Sequence, residues 1–294
     1  MRPCCITPII GLLLCLAACS EIAVPRTDAA TYSRVVTLAP NLTELVYAAG
    51  AGDTLVGVSA YSDYPAQALE LPVIGDAFML DQEQLAVLQP DLLLVWQSGT
   101  PAHVVDELRR IGYDVEVIRT RGIGDVGAAL RRIGALTGHA DSAATVAAAF
   151  EAELKSIERR YSGQDDVRVF YQVSRRPLFT VSGEHYVSDL IDACGGSNVF
   201  ADLNDLAPTV DVEAVVERDP EVMLASSDAG DDAFAEWQRW PHIAANRLQN
   251  HFIMPADAIG RATPRLLSAA QAVCEALQTA RSRRAALERS AEHD

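Results

Sequence analysis

The chain has no Gly-x-Ser-x-Gly nucleophile elbow, no His-Glu-x-x-His zinc helix and no Gly-x-x-x-x-Gly-Lys phosphate loop. Three common routes to hydrolysis and phosphoryl transfer are therefore missing. Basic residues are scarce, with 24 Lys and Arg against 40 Asp and Glu and a net charge of −16. A surface that neutralises phosphates needs a basic stripe, and none is visible, so nucleic acid is excluded as a partner. The histidines at 103, 139, 185, 242, 251 and 292 never stand four apart on one helix face, and a metal site would have to be assembled from distant segments. The acidic loop Asp228 to Asp232 lacks the ordered ligand positions of a calcium loop and reads as solvated. Neither a metal nor a resident cofactor is expected.

No apolar run reaches the roughly 20 residues that a membrane span needs. The N-terminus instead carries an export signal. Arg2 precedes an apolar stretch from Ile6 to Leu16, which leads into Leu16-Ala17-Ala18-Cys19. That is the pattern of a lipoprotein signal peptide over residues 1–18, with Cys19 as the lipidated residue. Residues 19–33 have no apolar period and read as a tether. The expected location is periplasmic, with a lipid anchor in the membrane, and Ser20 after the lipid cysteine favours the outer membrane of a two-membrane cell. Cysteine is then short as well. With Cys4, Cys5 and Cys15 discarded and Cys19 lipidated, Cys194 and Cys274 remain. In an oxidising compartment they most simply form one disulfide, with two separate buried thiols as the alternative. Closing so long a loop would contribute about 4 to 5 kcal/mol on the chain-entropy model.

What remains is about 275 residues, enough for one large or two medium domains, and at 49% hydrophobic residues it can bury a core. Short apolar strands alternate with amphipathic helices, the signature of α/β layers. Strands are expected at 34–38, 55–59, 91–96 and 114–118, with helices at 101–111 and 125–136. The run Asp91-Leu-Leu-Leu-Val-Trp96 is apolar on both faces, as a strand covered by helices on both sides should be. Asn41 is expected to cap the first helix, with Glu44 at the reciprocal position. Asp141 to Tyr161 holds no Gly or Pro and should form one helix of about 30 Å, long enough to cross from one lobe to another. The alternation then restarts at 167–173, 178–182, 186–194, 221–225 and 251–255, and a last helix begins near Pro264. The expected organisation is an N-terminal lobe over 34–138, a connecting helix over 139–163, a C-terminal lobe over 164–285 and a tail over 286–294. The second lobe repeats the first in type, without a visible sequence repeat.

Gly122-Ile-Gly124-Asp-Val-Gly127 matches a dinucleotide-binding fingerprint between a strand and a helix. The fingerprint belongs to the first strand of its unit and wants an acid ending the next strand. Here the acid at that distance, Asp141, heads the long helix, so an ordinary turn is the better reading and a nucleotide-dependent α/β enzyme is disfavoured. Aromatic and charged residues gather just past strand ends, where open α/β sheets bind ligands: Tyr61, Trp96, Phe179, Asp257 and Arg261. Spread over both lobes, they favour a ligand cleft.

The segments Val35-Val-Thr-Leu-Ala-Pro-Asn-Leu-Thr-Glu44, Gly57-Val-Ser-Ala-Tyr-Ser-Asp-Tyr-Pro65, Pro90 to Trp96, Cys194-Gly-Gly-Ser-Asn-Val-Phe200 and Arg261-Ala-Thr-Pro-Arg265 resemble the periplasmic cobalamin-binding proteins of the BtuF type. The resemblance runs over nearly all of 34 to 280. It implies the class III solute-binding fold, two Rossmann-like lobes with parallel sheets joined by one long α-helix, with a corrinoid between the lobes. By the same resemblance Tyr61 and Trp96 line the ligand, Asp257 to Arg261 form its polar contact, and Phe179 is a looser match. Glu83 and Glu213, one per lobe, match the glutamates that dock on arginine pockets of an ABC-transporter permease with its ATPase, the protein acting as a monomer. Cys194 and Cys274 match the family disulfide. Two departures concern the ligand: Asp76-Ala77-Phe78-Met79 replaces a tryptophan, with Phe78 as the substitute, and Ala207 replaces another aromatic. Relatives of this fold carry haem or iron-siderophores, which is the alternative cargo.

Overall fold

The computed structural model describes residues 31–76, 79–230 and 232–291; the leader, Cys19 and Phe78 lie outside the described residues. The first lobe is built on β1 (Val35–Thr37), β2 (Leu55–Val58), β3 (Leu92–Trp96) and β4 (Val115–Ile118), all parallel in the order β2-β1-β3-β4. Around them run α1 (Pro40–Ala48), α2 (Gln82–Leu88), α3 (Ala102–Arg110) and α4 (Asp125–Thr137). Burial of β1 along its whole length, and of Leu92 to Val95 in β3, matches the two-sided cover that their unbroken apolar sequences call for.

After α5 (Ala140–Tyr161) the second lobe opens with β5 (Arg168–Gln172), followed by the antiparallel hairpin β6 (Ser174–Arg175) and β7 (Leu178–Phe179). It continues through α6 (Tyr186–Ala193), β8 (Ser197–Asn198), α7 (Val212–Arg218), β9 (Val222–Ser226), α8 (Ala244–Arg247), β10 (His251–Met254), α9 (Ala256–Ile259) and α10 (Leu266–Ala291). Its parallel sheet runs β10-β9-β5-β8. Taken in order of appearance within each lobe, both sheets place the second strand at one edge, then the first, third and fourth. The two lobes share one topology.

The α5 rod holds because its buried residues fall on one seam: Ala143, Ala147, Phe150, Leu154 and Ile157, spaced alternately four and three apart as a helix stripe requires. Small residues on α4 bring the two helices close. A methyl added at Gly134 would lie 2.3 Å from the Ala143 Cβ, so nothing larger than glycine fits there. The far end of α5 reaches the second lobe, where the Tyr161 carbonyl lies beside Gly195. The Cys194–Cys274 disulfide, with Cα atoms 4.8 Å apart, ties the end of α6 to α10. Arg281 on α10 completes that end of α6 by donating to the carbonyls of Cys194 and Gly195.

Four expectations need correction. Helix α1 starts at Pro40 after Ala39, with no side-chain cap, because proline at the first helical position already supplies the helical φ. Asn41 therefore lies inside the helix, and Glu44 serves another purpose, described below. Of the strand expected at 178–182 only Leu178–Phe179 pairs, with β6; beyond it the amides of Thr180 and Ser182 bond the carbonyls of Pro208 and Leu206 outside the main sheet. Residues 31–33, expected in the tether, belong to the first lobe, since Tyr32 N–H bonds the Leu136 carbonyl and Ser33 N–H the Asp91 carboxylate. Helix α10 runs unbroken across residue 285 to Ala291.

His185 precedes α6 and its Nδ1 accepts the Val187 N–H. Burial pushes its pKa down to about 4 from 6.5. The neutral ring is the folded form, so the unfolded chain takes up the proton first as pH falls. The stability held above pH 6.5 is accordingly lost as pH drops towards 4, by on the order of 3 kcal/mol. Chemical denaturation across that range is expected to show this slope, and His185→Asn, which keeps an acceptor but does not titrate, is expected to flatten it.

Candidate functional site

Among the described residues, the ligand candidates stand at or past the carboxyl ends of strands in the two lobes. Tyr61 follows β2, Trp96 ends β3, Phe179 ends the hairpin after β5, and Asp257 and Arg261 follow β10. The position of Tyr61 is unusual in two ways. The residue is 81% exposed, and its φ is +65°, a left-handed conformation that costs a non-glycine residue on the order of 1–3 kcal/mol. Something must hold that turn. From within its own lobe a buried chain of hydroxyls supports it: Thr37 to Thr43 at 2.7 Å, Thr43 to Ser62 at 2.9 Å, and Ser62 to Ser59 at 3.3 Å.

The other support comes from the opposite lobe. Arg261 donates from one terminal nitrogen to Glu44 at 2.8 Å and to Asp63 at 2.6 Å, and from the other to the Tyr61 carbonyl at 3.1 Å. The Glu44 side chain is only 2% exposed. It also accepts from Thr263 at 3.0 Å and Arg265 at 3.1 Å, so a single carboxylate of α1 gathers three side chains of the 261–265 segment. Arg265 in turn covers the Tyr64 ring at 4.3 Å and reaches the Asp257 carboxylate at 3.7 Å. The Arg261 hydrogen bond, opposed by partial burial, holds the Asp63 carboxyl below its ordinary range. Sequence reading missed Glu44 as a partner because a local cap accounts for an acid four residues into a helix. The signal available was an acid set among Leu42, Leu45 and Val46, with the two arginines of Arg261-Ala-Thr-Pro-Arg265 to match it.

Trp96 sits half-buried, its indole N–H donating to Thr120 at 2.9 Å and its ring lying over Gly99. Phe179 is half-buried at the hairpin's end and bridges to Thr209. The structure thus joins Tyr61, Asp257 and Arg261 in one network and carries Trp96 at the end of β3 in the first lobe and Phe179 on the β6–β7 hairpin of the second.

A second contact between lobes uses the glycine-rich loop. Asp125 accepts the amides of Arg121 and Gly122, Asp189 of α6 accepts the Ile123 amide at 2.7 Å, and the Tyr186 amide bonds the Arg121 carbonyl. The donors that would cradle a dinucleotide phosphate are filled by the protein's own carboxylates.

Glu83 and Glu213 are exposed, each at the second position of a seven-residue helix, α2 and α7. Behind each helix the chain turns through a left-handed residue, Gln89 or Asp219, then a proline and an acid, into the third strand of its lobe. Asp81, Glu83, Pro90 and Asp91 recur as Asp211, Glu213, Pro220 and Glu221 with the same internal spacing. The supporting bonds recur as well: Arg34 donates to the Gln89 carbonyl and its amide to Asp91, while Arg168 donates to the Asp219 carbonyl and its amide to Glu221. A sequence repeat does exist, confined to the few positions that shape this turn.

Two parallel α/β lobes, a rod between them and an exposed aromatic at their facing edges define a two-lobed solute-binding protein of the helical-backbone class. The chain belongs to the periplasmic binding protein family, whose model matches residues 35–258. It is 35% identical over 253 residues to the vitamin B12-binding protein of Vibrio parahaemolyticus, covering 85% of this chain and 91% of that one. To the vitamin B12-binding protein of Yersinia pestis it is 34% identical over 264 residues, covering 88% and 91%. Among solved structures, the periplasmic vitamin B12 binding protein BtuF of Vibrio cholerae superposes with a TM-score of 0.77 at 32% identity, over 85% of this chain and 98% of that one. The periplasmic haem-binding protein BhuT in complex with two haems superposes with a TM-score of 0.74 at 21% identity, over 85% and 99%, a likeness of fold.

A methyl group at Gly99 would come 2.3 Å from the Trp96 ring. Gly99→Ala is expected to push the indole off Thr120, shifting tryptophan emission and near-ultraviolet dichroism with the far-ultraviolet spectrum unchanged. Unaltered emission would mean that the ring has room to spare.

Proposed function

We propose that this chain captures cobalamin or a related corrinoid in the cleft between its lobes and delivers it to the permease of an ABC importer, acting as a monomeric carrier and not as an enzyme. The observation that carries this reading is the exposed Tyr61 ring at the lobe boundary, in a chain similar from end to end of its lobes to vitamin B12-binding proteins. Aromatic walls of this kind bury about 150–250 Å² each, the contact a large, mostly apolar macrocycle needs. Tyr61, Phe78, Trp96 and Phe179 supply that contact, with the stretch from Asp257 to Arg261 forming the polar side of the cleft. Phe78 takes the part of an absent tryptophan. Ala207 leaves the second lobe less aromatic than the family pattern, which broadens the cargo to corrinoids other than cobalamin. Cys19 carries the lipid that keeps the carrier at the membrane, the outer one in a two-membrane cell. Glu83 and Glu213 are the docking groups, and the repeated turn beneath each presents them alike from the two lobes. Charges used in this way govern orientation and encounter rate more than affinity.

Titrating purified protein with cyanocobalamin, haemin and a ferric siderophore while following tryptophan quenching is expected to give tight saturation with cyanocobalamin alone. Saturation by haemin and not by cyanocobalamin would replace the corrinoid reading with the haem one. Nucleotide is expected not to bind, since the amides of Arg121, Gly122 and Ile123 are already bonded to Asp125 and Asp189. Glu83→Gln with Glu213→Gln is expected to leave cyanocobalamin affinity within about twofold while lowering uptake in cells by tenfold or more; unimpaired uptake would remove both glutamates from the docking role.

A further inference from the structure

Arg261 sits where a polar ligand contact is expected, yet its guanidinium is turned to protein. Its side chain is 15% exposed, and its terminal nitrogens bond Glu44, Asp63 and the Tyr61 carbonyl. All three belong to the first lobe, and Arg261 belongs to the second. The carbonyl it holds is that of the residue in a left-handed conformation, whose ring stands almost free of the protein surface. A planar guanidinium suits this task, because its fork can serve two carboxylates and a carbonyl at fixed angles. An isolated Tyr61 turn would relax to an ordinary conformation and swing the ring elsewhere.

From this geometry we infer that Arg261 is a positioning residue: it acts across the cleft on the Tyr61 backbone, locking the turn so that the aromatic ring is presented before ligand arrives. The inference rests on Tyr61 being part of the ligand wall. Asp63 belongs to the same device, since it orients the guanidinium from the far side of the turn. A ring held in the binding-competent conformation spares the ligand the cost of selecting it, and loss of the lock lowers apparent affinity by the fraction of molecules still competent.

Two measurements on the full-length protein test this. In the ligand-free protein, amide hydrogen exchange over residues 59–65 is expected to speed up in Arg261→Met and in Asp63→Asn while the β1 and β3 amides keep their protection. Unchanged exchange over 59–65 in a folded variant would overturn the proposal whatever the ligand is. Asp63 is half exposed, so Asp63→Asn buries no new group and carries the test if Arg261→Met does not fold. The second measurement is a double-mutant cycle on cyanocobalamin affinity. Arg261→Met and Tyr61→Ala are each expected to weaken binding roughly tenfold, and the pair together hardly more than Tyr61→Ala alone. Additive losses would show that Arg261 contacts ligand directly and would overturn the positioning role. If Tyr61→Ala binds normally while exchange over 59–65 still rises in Arg261→Met, the ligand-wall reading of Tyr61 fails and the lock itself stands.

Discussion

The carboxylate of Glu44 is the constraint on which the arrangement of the lobes depends. Removing an unpaired carboxylate from water costs several kcal/mol, of order 3–5 when a buried pair is broken. Glu44 is almost wholly buried and is compensated by Arg261, Thr263 and Arg265, all from the other lobe. The lobes cannot part at this edge without leaving a bare charge behind. A hydrophobic contact of similar area would tolerate sliding by an ångström or two. A carboxylate with three donors at 2.8 to 3.1 Å does not.

The network does not act alone. Beneath the cleft α5 packs a single apolar seam, and the Gly134 contact with Ala143 leaves no space for that helix to roll. Beside it the 121–123 loop is bonded to Tyr186 and Asp189 on α6. Three ties of different chemistry, one ionic, one apolar and one between backbone and carboxylate, join the same two bodies. They have no common pivot. Wide hinge closure relies on a few residues that absorb large φ/ψ changes, and connections of this kind oppose it. A cleft so held receives its ligand largely preformed.

Local pattern carried the fold well. The apolar runs of β1 and β3, the absence of Gly and Pro from 141 to 161 and the Gly195-Gly196 stop each state a short-range preference, and each is where the structure puts it. The site was legible only as positions. Tyr61, Trp96 and Arg261 stand past strand ends because topology places loops there, but what they bond is set by the approach of the other lobe. Glu44 satisfies the pattern of a capping box and is used across the cleft, since Pro40 had already started the helix. The Gly122 loop has the spacing of a phosphate cradle, and two aspartates fill it. The repeat around Glu83 and Glu213 escaped notice because helices tolerate many sequences, and the two copies share only the residues that the left-handed turn and its clamp demand.

That repeat bears on how a rigid carrier reports its state. If Glu83 and Glu213 engage a permease, their separation is fixed by the same ties that fix the cleft, for the turn behind each one's helix is bonded to the arginine at the start of the first strand of its lobe, Arg34 or Arg168. Ligand then cannot change the distance between the docking points by moving the lobes without also straining the Glu44 network. What ligand alters without moving the lobes is the exposed surface at the cleft mouth, where the Tyr61 ring stands on its locked turn. In a receptor built this way the difference between loaded and empty resides in that mouth, and the docking glutamates define only where the mouth is presented.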